Sequence, residues 1–362
     1  AVQRELLMMK AFQHPILGRV LGRVAGPEPI LRTGMGFWPA RVLHLAVEAG
    51  LFTELAAGPR SRDELMTTFG WRPRATEPFL GALVAMGLLR RTRAGRYANT
   101  RRAALYLDRT RPTYIGGLIE LSSTRLYELW GGLERLLQTG LPEADEERDG
   151  NEFFSSLYRD PAALRTFLSG MTGISTAEAT LIAARFPWQR YSTFADIGTA
   201  QGALPVRVAL CHPQLRGIGF DLPAVAPIFA DYIGSFGLAD RLSFAAGDVH
   251  TDPMPRAEVL TFGHMLHGYT ENKRLELISA AYAAVPPGGA LIVYDAMIDP
   301  GRRRESMTCL SSLNIMLEAR DGFEASTPQC ADWLRSVGFT GVRTRHLVGP
   351  TSMVYGFKPV AA

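Results

Sequence analysis

Four stretches of the chain carry residue types that can do chemistry, and each follows an apolar run. Asp196, Gly198, Thr199 and Gly202 stand in Phe194-Ala195-Asp196-Ile197-Gly198-Thr199-Ala200-Gln201-Gly202. Asp221 closes Gly217-Ile218-Gly219-Phe220. Gly247 and Asp248 follow Phe244-Ala245-Ala246, and His264 and His267 follow Leu260-Thr261-Phe262-Gly263. The glycines permit a tight turn and close approach of the backbone to a ligand. An acid such as Asp221 suits the paired hydroxyls of a ribose. A histidine can take up a proton near neutral pH.

The elements around these residues decide whether they meet. Short apolar runs at 193–197, 216–220, 242–245, 257–262 and 290–294 read as strands. Helical stretches alternate with them, from 203 to near 211, from about 224 to 236 and from 271 to 285. This is the pattern of a mainly parallel sheet covered on both faces. A helix at 328–337 and two strands at 342–348 and 352–357, across a Gly-Pro turn, add an antiparallel terminal hairpin. The fold class is therefore α/β and Rossmann-like. In such a sheet the ligand lies beyond the carboxyl ends of the strands, where all four stretches end. The inference is an adenosine-containing cofactor. The dinucleotide spacing would need a glycine at Ala200, which disfavours a nicotinamide-dependent oxidoreductase.

The first half is helical. An apolar stripe from Phe37 to Ala46 ends at Gly50, Ser61 and Glu64 have capping-box spacing, and a third helix is read at 77–86. Two short strands around Gly95 complete a winged-helix order. The third helix as read has one acid and no basic residue, so packing or dimerisation is expected rather than DNA binding. Arg90, Arg91, Arg93 and Arg96 read as a solvated face. The apolar residues of 1–37 suggest burial against a second chain. Residues 1–112 are read as a dimerisation domain, 113–185 as a helical linker and pocket region, and 186–362 as the cofactor-binding catalytic domain. Within the middle region, 114–136 reads as one long helix or two, 142–150 as an acidic loop, and 161–169 and 174–185 as separate helices.

Composition narrows the class. The 362 residues are 47% hydrophobic, enough for a substantial core, and a net charge of +4 says little about a nucleic-acid partner. Three scattered cysteines fit a reducing compartment, no run is apolar enough for a membrane span, and the N-terminus lacks a signal-peptide core. A cytoplasmic protein is expected.

The second half resembles class I S-adenosylmethionine-dependent methyltransferases. More narrowly, the chain resembles small-molecule O-methyltransferases with a winged-helix-like dimerisation domain. The matches are Asp196 to Gly202, Phe220-Asp221-Leu222-Pro223, Gly247-Asp248, Met265-Leu266-His267, Pro287-Gly288-Gly289-Ala290-Leu291 and Ala331 to Phe339, with Phe37 to Leu55 matching the dimerisation helices. The resemblance implies S-adenosyl-L-methionine as cofactor and a homodimer through the N-terminal helices. It implies cofactor contacts from Asp196, Gly198, Thr199, Gly202, Asp221, Leu222, Gly247, Asp248, Val249, Phe262 and His264. His267 matches the base of the family's L-H-D-W motif, with Asp295 and Glu324 at positions where related enzymes carry supporting acids. The aspartate and tryptophan of that motif are Gly268 and Tyr269 here. His264, His267 and Asp295 raise the question of a metal, but metal-ligand spacing is missing and none is expected.

Phe153, Phe154, Phe167, Met171, Met265, Tyr269, Asn314, Met316 and Phe323 are the candidates for a substrate wall, suited to a flat apolar acceptor. The expected activity is methyl transfer to a hydroxyl of a small aromatic or polyketide-like molecule. The alternatives are transfer to carbon or nitrogen, and a non-catalytic metabolite-binding regulator.

Overall fold

The computed structural model describes residues 26–111, 113–142, 157–298 and 306–360. They divide into two compact units, one ending at Ala104 and the other beginning at Leu105. Among the described residues no helix is long and apolar enough to cross a membrane.

In the first unit, helices Phe37–Glu48, Arg62–Phe69 and Pro73–Ala85 precede an antiparallel hairpin of β1 (Leu89–Arg91) and β2 (Tyr97–Asn99). Leu51, Leu65, Leu80 and Leu83 are fully buried between these elements. The capping box at Ser61 is formed in both directions, and Arg96 binds the same Glu64 carboxylate at 2.7 Å. Two hairpin arginines thus make internal pairs, Arg96 with Glu64 and Arg91 with Glu77. The third helix starts at Pro73, not near residue 77, because proline suits the first helical position. It therefore includes Arg74, which corrects its reading as free of basic residues.

The second unit holds a sheet of seven strands: β3 (Thr193–Ile197), β4 (Arg216–Asp221), β5 (Leu242–Ala246), β6 (Val259–Gly263), β7 (Ala290–Ala296), β8 (Thr340–Val348) and β9 (Thr351–Phe357). Their order is β5-β4-β3-β6-β7-β9-β8. The first five in that order run parallel, and β9 and β8 close the sheet antiparallel, as the sequence reading expects. Parallel strands covered on both faces must be apolar throughout, and β7 is buried at every position. Register brings the chemistry to one edge. Ile197 lies opposite both Phe220 and Phe262, and Gly263 lies opposite Tyr294. The residues that follow these are Gly198, Asp221, His264 and Asp295.

Helices cover both faces. On one, Ala179, Ile182 and Ala183 of the helix Pro161–Arg185 pack with Leu204 and Val206 of Ala203–Cys211. On the other, Leu277 and Ile278 of Glu271–Ala284 pack with Cys330 and Leu334 of Thr327–Val337. Pro161–Arg185 is one helix, where the sequence reading breaks it at 170–173. The glycines there serve close packing. A Cβ on Gly170 would lie 3.2 Å from the Gly117 carbonyl oxygen, and one on Gly173 would lie 3.2 Å from Ile115 Cα. Residues 116–139 change helix type in passing, from Gly116–Leu121 through a π-turn Ser122–Leu126 and a 3-10 turn Trp130–Gly132 to Leu133–Thr139. The acidic stretch 143–150 lies outside the described residues.

Candidate active site

The turn after β3 is fastened to its neighbours by hydrogen bonds. Gly198 N–H and Thr199 N–H both donate to the Phe220 carbonyl, at 2.8 and 3.2 Å. Gly198, Ala200 and Gly202 all have positive φ, at 71°, 51° and 93°. For Ala200 this conformation costs about 1 kcal/mol or more, and its N–H bond to Asp221 Oδ2, at 2.9 Å, holds it there. At Gly202 a side chain would also meet the Phe229 ring at 2.7 Å.

Two acids support this turn differently. Asp196 is buried and accepts from Thr261 Oγ1 at 2.5 Å and Thr199 Oγ1 at 3.0 Å. Burial outweighs these hydroxyls and lifts its carboxyl to about 7. Asp196 therefore braces the turn from below, and both its oxygens are engaged within the protein. Asp221 accepts Ala200 N–H on Oδ2 and Leu222 N–H on Oδ1, and burial raises it to about 6. Each Asp221 oxygen keeps a lone pair for a ligand hydroxyl.

The rest of the strand edge lines this end. Asp248 Oδ1 accepts His250 N–H at 2.9 Å, shaping the turn after β5 at Gly247. Val249, Met265 and Tyr269 pack on the apolar core that contains Phe262. Met265 Sδ lies 3.2 Å from where a Cβ on Gly198 would be. The Tyr269 ring meets His250 edge-on at 5.3 Å, and its hydroxyl is raised by burial, then by Asp248 and Asp221. Met265 thus stands beside Gly198, and Tyr269 near Asp248 and Asp221. Tyr158 is near the last two, its hydroxyl raised by burial and then by Asp221 and Tyr269. The sequence reading missed Tyr158 as a site residue.

The second centre lies at the ends of β6 and β7. His264 has φ 49° and donates its N–H to the Tyr294 carbonyl at 3.1 Å. A 3-10 turn, Leu266–Gly268, then carries His267. His267 Nδ1 lies 2.8 Å from Asp295 Oδ1, and His264 Nδ1 lies 3.3 Å from the same oxygen. His264 Nε2 lies 2.6 Å from Glu178 Oε2, and Thr351 Oγ1 donates to Glu178 Oε1 at 2.5 Å. Neither ring nitrogen of His264 is left for a cofactor in this arrangement. Burial alone would raise Asp295, but His267 and His264 hold it well below the usual carboxylate range. Burial alone would depress His267, but Asp295 and then Glu324 leave it raised overall.

Glu324 faces the same centre. Its Oε1 accepts from Ser311 at 3.0 Å, while its buried Oε2 has no hydrogen-bond partner among the described residues. Burial and then Asp295 raise its carboxyl to about 7. Arg274, also buried, ties the base loop down. It donates to the carbonyls of His267 at 3.0 Å, Tyr269 at 2.8 Å and Phe323 at 2.7 Å, and lies 3.6 Å over the Phe323 ring. Ligand atoms of His264, His267 and Asp295 fall within 4.8 Å of one another. The His267–Asp295 hydrogen bond and the ion-pair contact of His264 Nδ1 with the same oxygen account for that spacing.

The substrate candidates do not all share one situation. Phe153 and Phe154 lie outside the described residues. Phe167 packs against Leu157, Leu164 and Val225. Asn314 is engaged, donating to Glu318 and accepting from Trp130 Nε1 at 3.0 Å. Phe323 lies under Arg274. Met171 and Met316 are half-buried on their helices. Besides Tyr158, the sequence reading missed Glu178, Thr351 and Arg274. An acid inside the apolar run Ala177 to Ala183 was the one available signal for Glu178.

The donor set fits S-adenosylmethionine. Asp221 offers two acceptors beside a turn that leaves Gly198 exposed, and the sulfur of Met265 flanks that glycine. When bound, this cofactor supplies an electrophilic methyl group. His267, fixed through Nδ1, keeps Nε2 for a proton.

Comparison with known proteins agrees. Residues 130–340 match the family described as the O-methyltransferase domain, and residues 31–109 match the O-methyltransferase dimerisation domain. The chain is 40% identical over 336 residues to the tetracenomycin polyketide synthesis 8-O-methyl transferase TcmO of Streptomyces glaucescens, covering 93% of this chain and 98% of the relative. It is 35% identical to the N,N-dimethyltransferase OxyT of Streptomyces rimosus, covering 88% and 92%. The solved structure of PigF with SAH superposes with a TM-score of 0.78 at 26% identity, covering 91% of this chain and 99% of that one. The chain belongs to the S-adenosylmethionine-dependent O-methyltransferase family with an N-terminal dimerisation domain.

Proposed function

We propose that this enzyme methylates a phenolic hydroxyl of a small polycyclic, polyketide-like aromatic, with His267 as general base. The observation that carries the reading is the 2.8 Å contact of His267 Nδ1 with Asp295. It fixes the tautomer whose Nε2 accepts a proton, and a phenol becomes a strong nucleophile only when its proton leaves. In-line approach to the methyl group then completes the step, with positioning supplying much of the rate. Asp295 orients the base, and Glu324 adds negative charge beside it. Asp221 holds the ribose hydroxyls, Gly198 and Gly202 shape the turn against the methionyl part, and Asp248, Val249 and Tyr269 line the adenine side. Met171 and Met316 remain candidates for the acceptor wall. The 40% identity to an enzyme named for 8-O-methylation in polyketide synthesis supports the acceptor class.

A homodimer in the cytoplasm is part of this reading. Leu31, Met35, Phe37 and Trp38 are exposed apolar residues within the segment that matches the dimerisation domain, and exposed Ile30 immediately precedes it. Transfer to nitrogen is the second reading, favoured by the 35% identity to an N,N-dimethyltransferase. Incubation with S-adenosylmethionine and matched hydroxy- and amino-substituted polycyclic aromatics, followed by mass spectrometry, separates the two. Methylation of the phenols supports the first reading. Methylation of the amines alone overturns it.

A further inference from the structure

We propose that His264, clamped between Glu178 and Asp295, is a fixed imidazolium and a positioning residue that keeps His267 in its neutral, proton-accepting form. The inference rests on the reading of His267 as base. Glu178 sits in the middle of Pro161–Arg185, and its carboxylate is buried against Thr351 at the start of β9. Carboxylate oxygens accept hydrogen bonds and donate none. His264 turns Nε2 to Glu178 and Nδ1 to Asp295, so both nitrogens need a proton and the ring carries a positive charge. The left-handed backbone at His264 is what aims the ring between the two acids.

The consequence falls on His267. A buried carboxylate within hydrogen-bond reach favours the charged form of a histidine by roughly 1–3 pH units. Pairing with Asp295 and Glu324 pulls His267 toward its protonated form, in which it could take up nothing. The His264 cation acts on the same Asp295 oxygen and opposes that pull. Several elements packed on the centre contribute charge or a titratable group. These are Asp295 and Tyr294 from β7, Glu178 from the long helix, Glu324 before Thr327–Val337, Cys330 within it, and the Arg274 guanidinium from Glu271–Ala284. Burial would depress His264, yet Glu178 and Asp295 hold it well above its ordinary range. For His267, burial pulls down, Asp295 and Glu324 pull up, and His264 adds a further downward pull.

Two measurements test this. In the wild-type enzyme, 15N NMR of labelled histidines should show His264 protonated on both ring nitrogens from pH 7 to 8, while His267 titrates. A neutral His264 in that range overturns the proposal without recourse to any variant. The second measurement is the pH profile of kcat/KM with a phenolic acceptor. His264→Gln should move the rising limb to higher pH by about one unit, a roughly tenfold loss below the limb. His264→Arg, which keeps the cation, should hold the limb near its wild-type position. A limb unmoved in His264→Gln, or moved equally in both variants, overturns the proposal. His267→Ala separates the two claims. If it abolishes turnover while His264→Gln leaves the limb in place, the base stands and this inference falls. If it turns over normally, the base reading itself has failed.

Discussion

Two aspartates at the carboxyl ends of strands of one sheet, β4 and β7, face opposite fates. Asp221, at the end of β4, is surrounded by backbone amides and apolar walls, and burial lifts its carboxyl to about 6. Asp295, near the end of β7, is more fully enclosed, but two imidazoles share its Oδ1 and hold it well below the ordinary range. The cofactor end thus presents acceptors with no cation among their direct partners. The base end is an alternation of acid and imidazole running from Glu178 through His264 and Asp295 to His267. Residue type and strand position are alike at the two ends, and the neighbours decide the chemistry. In the proposed reading, the cofactor end accepts hydroxyls and the base end handles a proton.

If the two ends work separately, damage to one should spare the other. The largest effect is expected from His267→Ala, with a fall in kcat of about 10²–10⁴. Affinity for S-adenosylhomocysteine, read by calorimetry, should stay within a few-fold. The converse is Asp221→Ala, which should weaken that affinity by about 1–3 kcal/mol through lost charge-assisted hydrogen bonds. Turnover at saturating cofactor should change much less. Unchanged affinity would move the ribose elsewhere.

The smallest expected effects are in stability, and they should have opposite signs at the two ends. Asp196 has a folded pKa of about 7, above its ordinary 3.8, so its ionisation destabilises the fold as pH rises through that window. Melting curves should show Asp196→Asn gaining on wild type between pH 4 and pH 8. Asp295 is depressed, so it contributes stability above the ordinary carboxylate range that is lost as pH falls through its folded value. Asp295→Asn should be destabilising at neutral pH, with the gap closing in acid. Parallel pH trends for the two variants would remove the contrast between the ends.

Much of this arrangement is legible in the chain. The buried parallel strands are apolar runs that stop at polar residues, so their ends and the residues beyond them can be read directly. Asp196, Asp221, His264 and Asp295 were found in that way or by resemblance. What escaped came from partners far away in sequence. Glu178 and Thr351 lie 173 positions apart and meet only because a helix crosses the start of β9. Arg274 looks like one more solvated charge until the fold buries it under three carbonyls. The helix Pro161–Arg185 runs through Gly170 and Gly173, where the sequence reading has two helices, because the glycines let backbones approach closely. Asn314 and Phe323 have the composition of a pocket wall, but their bonds to Trp130, Glu318 and Arg274 are invisible in composition.

The central claim is that proton removal by His267 limits methyl transfer to a phenol. The most direct test is the pH dependence of kcat/KM for a phenolic acceptor in wild-type and His267→Ala enzymes. The account predicts a rising limb in the wild type above the ordinary histidine value of 6.5, since the surrounding acids raise His267. It predicts that this limb disappears in the residual activity of the variant. A limb that persists at the same pH in His267→Ala would contradict it.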